Sequence, residues 1–369
     1  MPRYRRCAML FALLACAAAA WAQDWPNKPI RAVVPYSAGS ASDILPRTVF
    51  AVAEKGLGQP VVVENRAGGG SIIGTAAVAK APPDGYTILS TSSAFTIVPV
   101  TVANPGYDAL RDFVPVIPLA NMANVLVVSP DKGIKTLRDL VAYARAHPAA
   151  MNYVTIGTGT AAHLNSERFR LSAHFEAQPV AYKGSPEGLL DVMTGRVDFY
   201  FSPLLPALPM IRSGSLAALA VSSTMRDPLL PDVPTTVELG FAHSEYNFWF
   251  GVFAPAQTPD SIVSRLHDEI ARALDDGGVK EKLGALGVQP MPMTASEFAA
   301  YVRRELERFA PEETRLSTPE GSLRFAASGR FRNLSGGESY ASFMLRHAYT
   351  TARLANTTKS RFFAPLRCT

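Results

Sequence analysis

Cysteine is scarce in this 369-residue chain, with three at positions 7, 16 and 368. The first two sit in an N-terminal apolar stretch that reads as a leader, so the exported domain keeps Cys368 alone. That excludes a disulfide framework and a cysteine metal site, and the fold must rest on core burial. No H-E-x-x-H, no G-x-S-x-G and no clustered histidine ligands occur, which leaves metalloenzyme and hydrolase readings without support. Beyond the leader, no apolar run approaches the length of a membrane span. A basic core is missing too, despite a formal net charge of +5. Residues 1–22 carry three Arg and no acid, for +3, and residues 311–369 carry eight Arg and one Lys against four Glu, for +5. Residues 23–310 are left at −3, a mildly acidic body that argues against a nucleic-acid partner.

What is present begins with an address. Arg3, Arg5 and Arg6 precede an apolar segment from Cys7 to Ala20, and Ala20-Trp21-Ala22 supplies an A-x-A site. This is the pattern of a cleavable signal peptide over residues 1–22, cut before Gln23. Leu13-Leu14-Ala15-Cys16 also resembles a lipoprotein box, but the apolar segment runs past it to the better-placed A-x-A.

The stretch from Ile30 to Asp43 then sets the pattern for the rest. A β-branched run, Ile30 to Val34, leads into a loop of small residues and an acid that can start a helix. Strand, small loop, helix start leaves backbone N–H groups and the positive end of a helix dipole free to hold an anion. A helix is expected from about Asp43 to Lys55, with Pro46 in its first turn. Strands over 60–64 and 86–90 follow, separated by a glycine-rich loop (residues 65–71) and a helix over 72–80. That order implies a parallel sheet with right-handed crossovers. After a proline-bearing link from Pro99 to Pro118, strands are expected at 125–128, 153–156, 179–182, 196–201 and 216–221, with a helix near 137–146. The anion-seat geometry recurs at Gly157-Thr158-Gly159-Thr160, which opens a helix near Ala161, and at Lys183-Gly184-Ser185-Pro186-Glu187. Two open α/β lobes are the economical reading, with ligands bound outside strand C-termini in the cleft between them.

With those loops in place, the chain resembles the extracytoplasmic substrate-binding receptors of tripartite tricarboxylate transporters, the Bug family, over roughly residues 25–310. The matching stretches are Trp25-Pro26-Asn27-Lys28-Pro29-Ile30, Pro35 to Asp43, Val61-Val62-Val63-Glu64-Asn65-Arg66, Pro83-Asp84-Gly85-Tyr86-Thr87 and Tyr182-Lys183-Gly184. Leu230-Pro231-Asp232-Val233-Pro234-Thr235, Trp249-Phe250-Gly251 with Ala254-Pro255, and Glu297-Phe298-Ala299-Ala300 complete the ordered set. The resemblance implies a type II periplasmic binding protein with two α/β lobes and a ligand cleft between them. Lobe 1 is expected over 23–122 plus 227–310, and lobe 2 over 123–226. It implies a monomeric periplasmic receptor, not an enzyme and without a cofactor. Such a receptor captures a small carboxylate, a di- or tricarboxylate or an amino acid, and delivers it to membrane permease subunits. Backbone N–H groups, hydroxyls and water would hold the acid, rather than an arginine clamp.

By the same resemblance the ligand-binding residues are Tyr36, Ser37, Ala38, Gly39, Ser40 and Asp43, then Ser92 and Ser93 on the first lobe. Thr158, Gly159, Thr160, Ala161 and His163, with Lys183, Gly184 and Asp198, belong to the second. Asp43 also reads as a helix cap, His163 as a core or surface imidazole, and Lys183 as a structural partner of Asp198. Three positions depart from the family pattern: Ser40 replaces a usual second glycine, Pro46 a small Ala, and Gln257 a turn glycine. Residues 311–369 depart most, as a Ser/Arg-rich tail without periodicity that reads as a disordered extension.

Two alternatives stay open. Gly157-Thr158-Gly159-Thr160-Ala161-Ala162 fits the G-x-G-x-x-A dinucleotide fingerprint, with Glu176 near the expected spacing, which would make this a nicotinamide- or flavin-dependent exported enzyme. A binding-lobe protein that reports to a signalling sensor would carry the same features as a transport receptor.

Overall fold

The computed structural model describes residues 25–147 and 150–316, with side chains as far as 309. The leader, the cysteines and the tail from 317 onward lie outside the described residues. In chain order the elements are β1 (Ile30–Val34), α1 (Ala41–Leu57), β2 (Val61–Asn65), α2 (Ile72–Ala79), β3 (Thr87–Ser92), α3 (Ala94–Thr101), β4 (Phe113–Met122) and β5 (Asn124–Val128). Next come α4 (Leu137–Ala146), β6 (Asn152–Thr155), α5 (Ala161–Ala173), β7 (Gln178–Ala181), α6 (Ser185–Met193), β8 (Tyr200–Pro203), α7 (Leu204–Arg212) and β9 (Ala217–Val221). The last are β10 (Phe248–Pro255), α8 (Asp260–Asp275), α9 (Gly277–Gly284), β11 (Val288–Pro290) and α10 (Ala295–Leu316). Residues 311–316, which composition assigns to the tail, continue α10.

The first lobe is a six-stranded sheet in the order β11-β4-β10-β3-β1-β2. Its β2-β1-β3 part is parallel, as the strand–helix alternation requires. β10 and β4 join it antiparallel, so the sheet is mixed. β4 occupies much of the stretch that reads from sequence as a proline-bearing link. Pro115 and Pro118 are tolerated because each falls beside a register shift against β10, where a ladder N–H is not needed. The second lobe holds β8-β5-β9 and the parallel pair β6-β7, linked by a bridge between Tyr153 and Phe199.

Both lobes close over dense aromatic packing. In the first, Phe95 stacks on Phe253 with ring centroids 4.1 Å apart, and Trp249 meets the edge of Phe298. A Cβ on Gly251 would stand 2.4 Å from the Phe298 ring, so the Trp249-Phe250-Gly251 and Glu297-Phe298 stretches are two sides of one contact. Burying each such ring is worth about 1.5–3 kcal/mol over leaving it exposed. In the second lobe Phe169 packs edge-on against Phe175, Phe199, Phe201 and Phe241.

The chain passes from the first lobe to the second at Met122–Asn124. Beside that passage the Ser222 N–H donates to the Asn124 carbonyl at 2.8 Å. The sequence reading puts the return at residue 227. Leu229, Leu230 and Val233 pack into the apolar cluster around β5 and β8, and Leu239 and Phe241 into the one around Phe169. Apolar contact with the first lobe resumes at Tyr246 and β10.

Candidate functional site

The two lobes meet along a seam where backbone approaches backbone. A Cβ on Gly157 would lie 2.6 Å from the Cα of Gly70, and one on Gly184 would overlap the Ser37 hydroxyl at 1.7 Å. These glycines let loops from opposite lobes touch. Ser37 also bridges the seam, its N–H donating to the Lys183 carbonyl at 3.4 Å and its hydroxyl to the Glu187 carboxylate at 3.1 Å.

Behind the seam lies a space of about 390 Å³, part of it opening to solvent. Three helices begin on it. Ala41 and Ser42 open α1, Ala161 and Ala162 open α5, and Ser185 opens α6, and all five line the space. The first N–H groups of each helix have no partner within the helix. Side chains do not supply one either. Ser40 makes no cap hydrogen bond, the Thr160 hydroxyl turns back to the Gly157 carbonyl at 2.7 Å, and the third helix is preceded by Gly184.

The remaining lining is hydroxyl and amide: Tyr36, Ser92, Tyr200 and Asn124, closed off by Ile156, Pro203 and Phe248. Among the described residues, no Arg, Lys, Asp or Glu lines the space. Tyr36 and Ser92 share a hydrogen bond of 2.7 Å, and Tyr200 donates to Ser185 at 3.1 Å. Burial, ahead of all hydrogen bonds, pushes both phenols well above their usual range, so both remain protonated donors. The Ser40 hydroxyl and the Asn124 carbonyl oxygen are buried without a protein partner. Positive helix ends, hydroxyls and no fixed charge make a seat for an anion read by neutral dipoles.

Of the residues expected at the site, Tyr36, Ser40, Ser92, Thr160, Ala161 and Gly184 line this space. Thr158 and Lys183 line a second, more open space beside it, shared with the Gly68–Ser71 loop and joined to the first through Ile156. Ser37 and Gly39 lie on the seam against residues 183–187, and Ala38 is exposed at the loop tip.

Asp43, Ser93 and His163 stand behind the lining. The Asp43 carboxylate accepts from the Gly39 N–H at 2.9 Å, Arg47 at 2.8 Å and Asn65 at 2.8 Å. Asn65 in turn donates to the Tyr36 carbonyl, so Asp43 shapes the loop instead of capping the helix. Ser93 accepts from the Tyr246 hydroxyl at 2.8 Å. His163 accepts from the Gly159 N–H at 3.3 Å, and burial, partly offset by Glu167, holds its imidazole below the usual range and neutral. Asp198 lies apart. It pairs with Lys132, not Lys183, and with the Asn152 N–H at the N-terminal ends of the second lobe's strands, opposite the edge where ligands bind.

The helix starts also revise the local reading. α1 begins at Ala41, two residues before the expected start, so Pro46 lies inside the helix and removes the bond the Ser42 carbonyl would accept. Gln257, in place of a turn glycine, takes φ 67° in the left-handed region. The dinucleotide fingerprint does not form its seat: Gly157 is packed on Gly70 of the facing lobe. Glu176 is tied to Arg170 at 2.8 Å, ahead of β7 and far from a strand C-terminus. Sequence reasoning missed Ala41 and Ser42, which the correct start of α1 would have supplied, and Ala162 and Ser185, although it placed the starts of α5 and α6 where they are. It also missed Asn124, Tyr200, Pro203 and Phe248, for which no motif gives a signal.

Comparison with known proteins now adds its weight. Residues 45–312 match a family described as tripartite tricarboxylate transporter family receptor. The chain is similar to BugT of Bordetella pertussis, 35% identical over 291 residues, covering 78% of this chain and 89% of that protein. Among solved structures it is similar to Rpa4515 of R. palustris with adipate, at 32% identity and a TM-score of 0.76, covering 80% of this chain and 98% of that one. It is likewise similar to MatC from Rhodopseudomonas palustris with bound malate, at 28% identity and a TM-score of 0.76, covering 78% and 100%.

Proposed function

Since the chain belongs to the tripartite tricarboxylate transporter receptor family, a family of substrate-binding receptors rather than enzymes, we propose that it is a periplasmic receptor. It captures a small carboxylate between its lobes and hands it to a membrane permease. The observation that carries this reading is the convergence of three helix N-termini without side-chain caps on one space with no charged side chain among its described lining residues. Charge-assisted hydrogen bonds from preorganised N–H groups are short and strong, and they gain further in a cleft that closes out water. The two solved relatives named above hold adipate and malate, both small carboxylates. Export through cleavage of residues 1–22 would place the receptor in the periplasm.

A thermal-shift panel tests the reading. At a ligand concentration of about 100 Kd, binding to the folded state alone adds about 2.7 kcal/mol of stability. A small di- or tricarboxylate should raise the melting temperature while NAD and FAD leave it unmoved. A shift with a dinucleotide and none with any acid would overturn the proposal.

A further inference from the structure

Asn124 lines the space, is 1% exposed, and has its amide orientation fixed by its neighbours. Asn165, fully buried on α5, donates from Nδ2 to the Ser244 carbonyl at 3.0 Å. A carbonyl can only accept, so the Asn165 amide has one possible orientation and turns its Oδ1 toward Asn124. That oxygen accepts from Asn124 Nδ2 at 3.2 Å. The Asn124 Oδ1 is therefore committed to the other side, where it is buried with no hydrogen-bond donor among the described residues. Buried acceptors are nearly always paired, and one left over at a ligand space asks for a donor from the ligand.

Building on the carboxylate reading above, we propose that Asn124 Oδ1 accepts a hydrogen bond from a hydroxyl on the bound acid. The cleft then selects hydroxycarboxylates over the same acids lacking the hydroxyl or carrying an ammonium in its place. The charge pattern decides between the two donors. An ammonium would be desolvated beside three positive helix ends, with no Asp or Glu among the lining residues to balance it. A hydroxyl donates without charge, and it can also accept from the second unpartnered group, the Ser40 hydroxyl.

Isothermal titration of the full chain with acids matched in size tests this: malate, succinate and aspartate; lactate, propionate and alanine; citrate and tricarballylate. In the size class that binds best, the hydroxy acid should bind at least about tenfold more tightly than its counterparts. Asn165→Leu frees the Asn124 amide to rotate, and Asn124→Ala removes the acceptor. Each should lower the ratio of hydroxy-acid to unsubstituted-acid affinity toward one, whatever it does to the absolute affinities. If either variant fails to fold, the ranking by the wild-type chain decides alone. A wild-type chain that binds succinate or aspartate as tightly as malate, with the same pattern in the other sets, overturns the inference and leaves the carboxylate reading standing. A preference unchanged in Asn165→Leu also contradicts it. Failure of every acid to bind removes both.

Discussion

The helices of this protein begin in two ways. Away from the cleft, α4, α9 and α10 are closed by their own side chains. Thr136 and Asp139 bond reciprocally at 3.1 and 2.9 Å, Asp276 accepts from the Val279 N–H at 3.0 Å, and Thr294 and Glu297 repeat the reciprocal arrangement at 3.2 and 2.8 Å. At the cleft, α1, α5 and α6 have no such closure, although Ser40 and Thr160 are of a kind that usually provides it. A missing cap does not define a ligand site by itself, since α8 follows Pro259 on the outside and lacks one too. Convergence does: three open ends from two lobes share one space. The same backbone groups that consolidate a helix at the periphery are kept for a solute at the centre.

The comparison breaks most sharply if the lobes cannot shut. Gly184 has extended backbone at φ −169°, so Gly184→Ala adds no backbone strain, yet the new Cβ overlaps Ser37 across the seam. Carboxylate affinity should fall at least about a hundredfold, as most of an intrinsic affinity is lost when the competent state is rare. The melting temperature without ligand should barely move, and Ser37→Gly in the same chain should restore binding. Titration calorimetry on the single and double variants checks this.

A smaller loss isolates one donor. Thr160 has ψ 162°, which accepts a following proline, and the first helical position tolerates one. Ala161→Pro therefore deletes a single cleft-facing N–H while the helix stays intact. A hydrogen bond to a charged group contributes about 1.5–3 kcal/mol, so affinity should drop roughly ten- to a hundredfold at nearly constant stability.

The next pair contrasts the two kinds of helix start directly. Thr136→Ala should cost about 1 kcal/mol in denaturant unfolding and leave ligand affinity alone. Ser40→Ala should do the reverse, weakening binding by several-fold without loss of stability, because its hydroxyl closes nothing in the protein. Equal effects of both on stability would erase the distinction.

The mildest test is by pH. His163 is neutral in the folded protein and held below its usual 6.5 by burial. The unfolded chain takes up its proton first as pH falls, so His163 contributes stability above about pH 6.5 that is progressively lost as pH falls toward the depressed folded value. His163→Gln should flatten that part of a stability-versus-pH curve measured by chemical denaturation.

Much of the fold was legible in the sequence because local pattern and tertiary role agree there. Ile30–Val34 and Val125–Val128 are largely buried β-branched runs, and the helix after the first follows a small-residue loop. β4 was not legible, because Pro115 and Pro118 argue against a strand until its register against β10 is known. At the site, the loops and the starts of α5 and α6 came through, and the start of α1 did not. Reading Asp43 as the start displaced α1 by two residues and hid Ser42 behind the first turn. Asp198 reads from sequence as part of a strand over 196–201, whereas in the structure it precedes β8, at the end opposite the one where ligands collect. Asn124 has no local signature. Its role comes from Asn165 and Ser244, far away in the chain. Several of the stretches that carry the family resemblance turn out to be packing partners, such as Trp25 against Gly85 and Gly251 against Phe298, and not ligand contacts.

The central claim is that uncapped helix ends from both lobes grip one acid. Amide NMR of the chain titrated with the best-binding hydroxy acid reads those N–H groups one by one. The account predicts large downfield proton shifts at Ala41, Ser42, Ala161 and Ala162, with none at Leu137, Arg138 or Asp139 of the capped α4. Shifts confined to one lobe, or shared equally by α4, would contradict it.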